Sequence, residues 1–568
     1  MANYQNYPTE LFDNLKQIYH ASAEKYGEKP LFQQKRNGVY ENFSFRRYRN
    51  DVDALGTALL AHELEGCVLL VGENSYEWVT AYMAVICGVG TVVPIDKECD
   101  AKFLSDVAER CGACAAIYSA RCADRVGQLD PSVERIAFSD LDELIEEGKL
   151  RIRAGDRTYL DADIDPRAMA VLLFTSGTAD EAKGVMLSHR NLCFNLSEMC
   201  KMVYVDQNDV FLSVLPLHHA YECTCGFLCS VYRGCTVAFG EGLRYVTRNM
   251  REVRPTVMLG VPLLIETVYQ KIQINIRRHG MEKKVRTMIG LTESIGSEKL
   301  RIAAKRRLFS DIHKSFGGRL RLLVSGGSTV DPNVLRGLRE LGILAIQGYG
   351  LTECAPIAAI NRDRFYNDRS AGMATPNTLL DIYDIQDDGV GEVRFRGDNV
   401  MLGYYDAPEL TAEAIRDGWF YTGDLGHIDS DGFLYITGRK KNLIVTASGK
   451  TVSPEELETL LDRTRFVKES VVVGCYNEEK KDRDIVALIH PDYDALAERF
   501  GTGLTSGQLD LEMRKAISEV NGGVQPHKRI TDYLLRTEAF PKNTSRKIKR
   551  AGLAEAALAQ YREKREKR

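Results

Sequence analysis

The stretch LLFTSGTADEAKGVMLSHRNL, residues 172–192, is the most informative part of this chain. Its apolar start, Val171 to Phe174, predicts a buried strand that runs into the loop Thr175-Ser176-Gly177-Thr178, with Lys183 beyond it. Backbone N–H groups of a glycine turn, hydroxyl donors and a lysine charge can together hold a polyphosphate. The loop is not a Walker A motif, because alanine precedes the lysine and glycine follows it. The sequence therefore predicts a phosphate-binding loop outside the P-loop class.

Length and composition indicate a soluble, multidomain globular protein. With 568 residues the chain is too long for one core. It is 44% hydrophobic and 27% charged, with a net charge of -4 and a pI of about 6.3, so nothing calls for a nucleic-acid partner. The start shows no signal peptide. The longest apolar stretch, 81–95, is broken by glycines and a proline and predicts helix, turn and strand within a core.

The fourteen cysteines show no disulfide framework. Cys111-x-x-Cys114 lacks a second ligand pair at zinc spacing, so buried reduced thiols are the preferred interpretation over a metal site. Reduced thiols predict a cytoplasmic setting.

Helical patterns alternate with short apolar runs over 40–130, 168–240 and 255–360, which predicts two parallel-sheet α/β subdomains. Residues 375–440 are rich in glycine and alternating strands and predict a small β subdomain. A further α/β unit is expected over 441–568. Within the 255–360 region, the pattern of residues 271–315 predicts a helical insert in which Lys and Arg outnumber Asp and Glu. A solvated face is expected there, with contact to an anionic membrane surface, at the inner face of the membrane, as the alternative.

Four further segments complete a pattern that no single one of them would establish. They are Arg321-LLVSGG-Ser328, Gln347-GYGLT-Glu353, Tyr421-TG-Asp424 with Gly438-RK-Lys441, and Pro541-KNTSRKIK-Arg550. In this order and at these separations, they and the loop resemble the acyl-adenylate-forming ligases over about residues 30–555. The superfamily includes acyl-CoA synthetases, luciferases and peptide-synthetase adenylation domains.

The resemblance implies ATP, Mg²⁺ and coenzyme A as cofactors and gives individual residues roles. Thr175, Ser176, Gly177, Thr178 and Lys183 would hold the β- and γ-phosphates. Gly326, Gly327, Tyr349 and Gly350 would line the adenine, Thr352 would donate to the α-phosphate and Glu353 would bind Mg²⁺. Asp424 would accept hydrogen bonds from the ribose hydroxyls, and Arg439 would reach ribose and phosphate. Lys547 would bridge the acyl carboxylate and the α-phosphate.

The implied reaction has two halves. A carboxylate attacks the α-phosphorus to give acyl-AMP, and a thiol then attacks the acyl carbonyl. In the family, a C-terminal domain rotates between the halves about a hinge that corresponds to Lys441, and Gly449 falls on the face brought round for the thiol. This places an N-terminal domain at 1–440 and a mobile C-terminal domain at 441–568.

The segment Leu215-PLHHAY-Glu222 resembles the part of the family that opens the acyl pocket, with His219 near the carboxylate. The small, apolar CTCGFLCSVYRG that follows suits the wall of an alkyl tunnel. No Asp stands where amino-acid-activating relatives hold the substrate ammonium. GENSYEWVTAYMAVICGVGTVVPID resembles the long-chain acyl-CoA synthetase branch. A medium- to long-chain fatty acid and coenzyme A are therefore expected.

Two departures from the family pattern stand out. The phosphate loop has Ala179-Asp180-Glu181-Ala182 before its lysine where the family has Thr-Gly-x-Pro, and Arg546 replaces the glycine before Lys547. Two acids beside a polyphosphate are electrostatically adverse unless they point to solvent or help to hold a cation.

Three alternatives remain open at this point. The acceptor thiol can belong to acyl carrier protein, the acid can be an aryl or sterol acid, and the chain can be a catalytically silent acyl-binding relative. The sequence leaves oligomeric state and pathway undefined.

Overall fold

The structure is a computed structural model that describes residues 5–175, 182–447, 450–542, 548–550 and 552–566. The chain divides into two compact units. The first comprises Met1–Leu380, Phe395–Phe420 and Ser430–Leu434. The second comprises Asp381–Arg394, Tyr421–Asp429 and Tyr435–Arg568.

Strands and helices alternate along the chain. The strands are β1 Pro30–Arg36, β2 Val39–Ser44, β3 Gly66–Val71, β4 Gly90–Ile95, β5 Ala113–Tyr118, β6 Glu134–Ala137, β7 Met169–Phe174, β8 Gly184–Ser188, β9 Val210–Ser213, β10 Thr236–Phe239, β11 Val257–Gly260, β12 Leu322–Ser325, β13 Leu344–Gly350, β14 Ile357–Ile360, β15 Met373–Ala374, β16 Leu379–Tyr383, β17 Gly391–Arg396, β18 Gly403–Tyr404, β19 Ile415–Arg416, β20 Trp419–Ile428, β21 Leu434–Arg439, β22 Ile444–Val445, β23 Thr451–Val452, β24 Val467–Asn477, β25 Asp482–Pro491 and β26 Asp532–Leu535.

The α-helices are α1 Leu15–Tyr26, α2 Phe45–Ala61, α3 Tyr76–Ala84, α4 Ala101–Cys111, α5 Ala123–Val126, α6 Leu141–Arg153, α7 His189–Met202, α8 Cys229–Arg233, α9 Val246–Val253, α10 Pro262–Arg278, α11 Glu282–Glu293, α12 Glu298–Leu308, α13 Ser310–Ser315, α14 Pro332–Glu340, α15 Pro408–Ala414, α16 Pro454–Leu461, α17 Tyr493–Phe500, α18 Ser506–Gly522 and α19 Leu553–Glu566. A π-helix, Tyr221–Leu228, continues directly into α8.

The first unit contains two large, mostly parallel sheets. One has the order β15-β14-β13-β12-β11-β9-β10-β1-β2, with antiparallel strands at its edges. The other has the order β18-β8-β7-β4-β3-β5-β6, in which β4, β3, β5 and β6 run parallel to β7. Parallel strands need crossover connections, and the helical periods between the apolar runs supply them. The predicted pair of parallel α/β subdomains is confirmed.

The antiparallel edge of the seven-stranded sheet places the phosphate loop. β7 and β8 pair with Phe174 opposite Gly184, so the two ends of the loop between them lie at one end of this sheet. β18 adds to β8, with Tyr404 opposite Val185. Ser188 then caps α7, because its hydroxyl accepts from the Asn191 backbone N–H.

A five-stranded sheet, β16-β17-β20-β19 with β21 on β20, corresponds to the predicted β subdomain. The second unit contains the sheet β24-β25-β26. Successive residues of β24 point to opposite faces, and both faces are buried: Val472 packs toward α16 to α18, whereas Val471 and Val473 pack toward α19. The predicted C-terminal α/β fold is confirmed.

The helical insert is also confirmed, as α10 to α13. Within the described residues, every helix is too short or too polar to cross a bilayer.

Candidate functional site

Two hydrogen bonds close the base of the phosphate loop. The Thr175 backbone N–H donates to the Lys183 carbonyl at 2.9 Å, and the Lys183 N–H donates to the Thr175 hydroxyl at 3.1 Å. The Lys183 side chain is exposed beyond this base. Ser176, Gly177 and Thr178 lie outside the described residues, as do Asp180 and Glu181. The structure therefore fixes both ends of the predicted loop next to each other at the end of β7.

Tyr404 connects the two charged groups that were predicted to face the phosphates. The Lys183 ammonium lies 4.7 Å from the centre of the Tyr404 ring. The Tyr404 hydroxyl donates to Glu353 Oε1 at 3.0 Å. A cation over an aromatic face and a hydroxyl on a carboxylate are both favourable contacts. One side chain thus brings a cation and a metal-ligand candidate, 170 positions apart in the chain, to the same place.

Thr352 and Glu353 lie in a short 3-10 turn, Thr352–Cys354, that follows β13. The Glu353 carbonyl accepts from the Met401 N–H at 2.8 Å. From α7, the fully buried Asn195 amide donates to the carbonyls of Cys354 at 3.1 Å and Ile357 at 2.7 Å. The turn that carries the predicted metal ligand is therefore anchored to α7, which itself follows the phosphate loop.

The glycine-rich strand ends allow close approach of backbones. Gly326 has its N–H bonded to the Gly260 carbonyl at 3.1 Å, and a Cβ there would lie 2.9 Å from the Tyr221 ring. A Cβ on Gly350 would meet the Pro356 carbonyl at 2.1 Å, so no side chain fits. Gly327 has φ +92°, a conformation that favours glycine. Tyr349 is half-buried and stacks at 6.0 Å on Phe395. The part-exposed Tyr349 ring is compatible with its predicted role beside a base.

The acyl segment contains two adjacent histidines with different surroundings. His219 is half-buried, and its ring centre lies 4.2 Å from that of His218. The His218 side chain is only 9% exposed, and its Nε2 has no hydrogen-bond partner among the described residues. Burial holds the pKa of His218 well below its usual range, so this ring is neutral.

Glu222 is a buried carboxyl in the same segment that the sequence did not single out as a site. It is 2% exposed, and its Oε2 has no partner within the described part of the chain. The Ser213 hydroxyl hydrogen-bonds the carboxyl and itself accepts from the Asn74 amide at 3.0 Å. Burial raises the pKa of Glu222 from 4.5 to about 8. The group is therefore mostly neutral at pH 7.

Gly226 makes room for this carboxyl. A Cβ at Gly226 would lie 2.9 Å from Glu222 Oε1 and 3.5 Å from Leu259. The neighbouring Tyr221 donates its hydroxyl to the Val324 carbonyl at 2.9 Å. The π-helix Tyr221–Leu228 therefore packs onto the ends of β9, β11 and β12, with Glu222 enclosed.

In the second unit, the structure brings Asp424 and Arg439 together. Arg439 Nε lies 2.7 Å from Asp424 Oδ1, and Asp424 is 3% exposed. The Asp424 N–H donates to the Thr422 hydroxyl at 3.0 Å, within strand β20. Next to Arg439, Lys440 bonds Glu392 at 2.8 Å. The two residues predicted to reach the ribose thus form one ion pair.

Three predicted positions of the second unit are less defined. Lys441 is exposed and lies in the turn Lys440–Asn442. Gly449 and Lys547 fall outside the described residues. The chain on either side of Lys547 is anchored, since Lys542 bridges to Ile548 and the Lys549 N–H donates to the Pro541 carbonyl at 2.8 Å.

Sequence reasoning missed Tyr404, Asn195 and Glu222. Tyr404 belongs to the two-residue strand β18, which has no periodicity to detect. Asn195 and Glu222 lie in helices where a polar residue is usually solvated. The pattern LGYYDAP around Tyr404 was the only local signal, and it indicates a turn rather than a site.

Comparison with known proteins gives consistent matches. A family model described as "AMP-binding enzyme" matches residues 19–405. Long-chain-fatty-acid--CoA ligase 1 of Cavia porcellus is 27% identical over 507 residues, which cover 81% of this chain and 70% of that protein. Long-chain-fatty-acid--CoA ligase FadD15 of Mycobacterium bovis is 28% identical over 564 residues, covering 92% of each chain.

Among solved structures, the anthranilate CoA ligase AuaEII in complex with anthranoyl-AMP is similar with a TM-score of 0.75 and 20% identity. The match covers 97% of this chain and 99% of that chain. At this identity the likeness shows a shared fold.

Proposed function

We infer that this chain, which belongs to the AMP-binding enzyme family, is an ATP-dependent acyl-CoA synthetase. It would convert a carboxylic acid to acyl-AMP with release of pyrophosphate, then transfer the acyl group to coenzyme A. Membership of the family follows from the match over residues 19–405, well over half of the chain. The observation that carries the proposal is the placement of Lys183 and Glu353 on opposite parts of one tyrosine, Tyr404.

On the phosphate side, Lys183 supplies a positive charge at the end of β7 next to a loop rich in donors. This charge offsets the negative oxygens of the β- and γ-phosphates. Thr352, which directly precedes Glu353 in the anchored turn, would donate to the α-phosphate. Because the base of the loop is closed by hydrogen bonds between Thr175 and Lys183, both ends are held before nucleotide arrives.

The residues present fit a magnesium ion. Mg²⁺ usually takes one or two protein carboxylates and completes its shell with phosphates and water. Glu353 offers such a carboxylate, with Oε1 oriented by Tyr404. No group of three acidic, histidine or cysteine residues suited to an all-protein metal site occurs in the described ranges. When bound, the metal would neutralise charge that grows on the phosphates.

Asp424 and Arg439 would hold the ribose. A carboxylate accepts hydrogen bonds from both hydroxyls of a ribose, and Arg439, 2.7 Å away, orients this carboxylate. Lys547 would stabilise the attacking carboxylate and the α-phosphate during adenylation. We further propose that Lys441 is the hinge between residues 1–440 and 441–568, and that Gly449 faces the thiol substrate.

We propose a medium- to long-chain fatty acid as the substrate. The wall built from Tyr221–Leu228 is apolar, and Glu222 within it is mostly neutral at pH 7. An uncharged wall suits an alkyl chain. Relatives named long-chain fatty acid ligases support this, whereas the similar structure named anthranilate CoA ligase keeps an aryl acid as the alternative. His219 would lie near the reacting carboxylate.

A panel of acids tests the proposal directly. Fatty acids of increasing length and several aryl acids are incubated with ATP, Mg²⁺ and hydroxylamine, and pyrophosphate is measured. Release with alkyl acids above all others supports the fatty-acid assignment; a preference for aryl acids would replace it. No release with any acid indicates a silent relative. Coenzyme A and acyl carrier protein are then compared as acceptors.

The insert formed by α10 to α13 supports a peripheral membrane contact. Residues 271–315 contain twelve Lys and Arg against four Asp and Glu. Large apolar side chains are also exposed there: Leu291 is 66% exposed and Leu300 is 64% exposed. α11 buries only Thr292 and α12 only Lys305 among their described residues. Exposed leucines amid cations suit the surface of an anionic bilayer.

Vesicle sedimentation tests this contact. The protein is expected to bind vesicles that contain anionic lipid and to remain free with zwitterionic vesicles. Leu291→Ser with Leu300→Ser should weaken binding, whereas Leu150→Ser, at a leucine that is 61% exposed elsewhere, should not. Equal behaviour of the two variants would remove this proposal.

A further inference from the structure

Two acids of the second unit hold the ends of the Lys547 segment, which we define as running from Lys542 to Arg550. The Lys542 ammonium donates a hydrogen bond to Glu469 Oε1. At the other end, the Arg550 guanidinium donates to Glu458 Oε2. Hydrogen bonds between charged groups are stronger than those between neutral groups. Both ends of the segment are therefore bound to acids that the proposed function does not yet use.

The two acids are themselves part of the framework of the second unit. Glu458 lies in α16, and its Oε1 accepts from the Val472 N–H of β24 at 2.7 Å. Glu469 lies in β24 itself. Their side chains are only 12% and 16% exposed, so water and salt screen these pairs less than they screen surface pairs. Arg550 also lies 3.7 Å from Glu455 Oε1, beyond hydrogen-bond distance, so Glu458 is its main partner.

The Lys547 segment is also closed on itself next to the lysine. Lys542 and Ile548 form an antiparallel bridge. The Lys549 N–H donates to the carbonyl of Pro541, just before the segment, at 2.8 Å. The Ile548 side chain packs against the apolar cluster between the sheet β24-β25-β26 and α19. Because Ile548 is the next residue along the chain, the backbone that follows Lys547 is held against the sheet.

We propose that Glu458 and Glu469 are positioning residues for the adenylation step and act by holding the segment that carries Lys547. A lysine that stabilises charge in a transition state must be placed accurately, and a shift of about 1 Å can cost about 10²-fold in rate. Removing the charge of either acid would loosen one end of the segment. Because the acids would act through the segment, their loss should lower the rate and leave ATP affinity unchanged. This inference rests on the proposed function, in which Lys547 serves adenylation.

Glu458→Gln and Glu469→Gln test the proposal, because glutamine keeps the shape and removes the charge. We expect pyrophosphate release with hydroxylamine to slow by about 10-fold, which corresponds to the loss of one hydrogen bond to a charged group. Thioester formation from supplied acyl-AMP and the KM for ATP should stay nearly unchanged. Glu456→Gln is the matched control, because Glu456 lies in the same helix but pairs with Lys528, outside the segment, at 2.7 Å. It should leave both half-reactions unchanged.

A double-mutant cycle checks that Glu458 acts through Arg550. The adenylation rate is measured for Glu458→Gln, for Arg550→Gln and for the two changes together. A double variant no slower than the slower single variant supports the assignment. Losses that multiply overturn it, because they would mean that the two residues act independently. Equal losses in both half-reactions for Glu458→Gln and Glu469→Gln also overturn it, since they indicate a general structural defect.

Hydrogen exchange judges the anchoring without relying on activity. The Lys549 N–H should exchange faster in Glu458→Gln than in the wild type, and at the wild-type rate in Glu456→Gln. Wild-type exchange in both variants overturns the anchoring. If the wild type releases no pyrophosphate with any acid, the proposed function fails, while the exchange result still judges whether the acid holds the segment. If thermal melting shows that Glu458→Gln does not fold, Glu469→Gln provides both measurements.

Discussion

Replacing Glu222 by glutamine should change how stability depends on pH. A carboxyl whose folded pKa is raised contributes stability that is present below its unfolded pKa and lost as the pH rises toward the folded value. For Glu222 these limits are 4.5 and about 8. The unfolded chain ionises first, so the wild type should lose stability across this window. Glutamine has the same shape, can still bond Ser213 and does not ionise.

The expected magnitude follows from the two pKa values. At 1.36 kcal/mol for each pKa unit, the difference between 4.5 and about 8 corresponds to about 5 kcal/mol over the whole window, and to about 3 kcal/mol at pH 7. Unfolding entropy is about 2.1 cal/mol/K per residue. For the first unit, a change of about 5 kcal/mol over the whole window therefore corresponds to a change in Tm of about 5 °C. The glutamine amide has a donor without a partner. This lowers the free energy of unfolding of the variant by about 1–3 kcal/mol at every pH.

Thermal melting of both proteins is recorded from pH 5 to pH 9. The difference in Tm between Glu222→Gln and wild type should rise by several degrees over this range, from negative or near zero at pH 5 to positive at pH 9. Glu98→Gln, at an exposed glutamate, is the control and should follow the wild type throughout. Parallel curves for Glu222→Gln and wild type would refute the reasoning, because they would mean that Glu222 ionises normally in the folded protein.

Four further substitutions test the proposed site. Asp424→Ala should weaken ATP binding in calorimetry and leave fatty-acid affinity nearly unchanged, since only the ribose contact is lost; unchanged ATP affinity would reject the role. Tyr404→Phe keeps the ring under the lysine but removes the hydroxyl from Glu353, so the Mg²⁺ requirement for pyrophosphate release should rise by about 10-fold, and an unaltered Mg²⁺ titration would contradict this. Lys441→Pro fixes φ near -65° and should preserve adenylation while thioester formation fails; rates that fall in parallel would place the hinge elsewhere. Lys547→Ala should slow acyl-AMP formation by about 10²-fold or more and affect thioester formation from supplied acyl-AMP far less; equal losses would remove that assignment.

The parts of the fold that were predictable have strong local signals. The run Val171 to Phe174 lies within β7, and the paired glycines after Arg321 follow β12, because buried parallel strands are short apolar runs bounded by glycine. The ion pair between Asp424 and Arg439 was predicted as two residues facing one ribose, but the contact itself was not. Local sequence thus selects candidate residues for the chemistry, and it does not say which of them are in contact.

The contacts that sequence could not give depend on pairing between distant segments. Tyr404 reaches Glu353 only because β18 adds to the edge of β8, and a strand of two residues has no detectable period. The Cys114 thiol donates to the Cys67 carbonyl because β3 and β5 are neighbours, although the sequence paired Cys114 with Cys111. Sheet order, which is a global property, decides both contacts.

The charges on the two sides of the proposed reaction are arranged differently, and the chemistry accounts for this. The nucleotide side has an exposed ammonium at Lys183 beside a carboxylate at Glu353, as phosphates with a metal require. The acyl side has a largely buried His218 and a buried Glu222, and burial keeps both uncharged near pH 7. A charged wall would disfavour an alkyl chain, whereas an uncharged nucleotide site would not hold polyphosphate. The burial of Glu222 against Ser213 is therefore compatible with the fatty acid that we propose as the substrate.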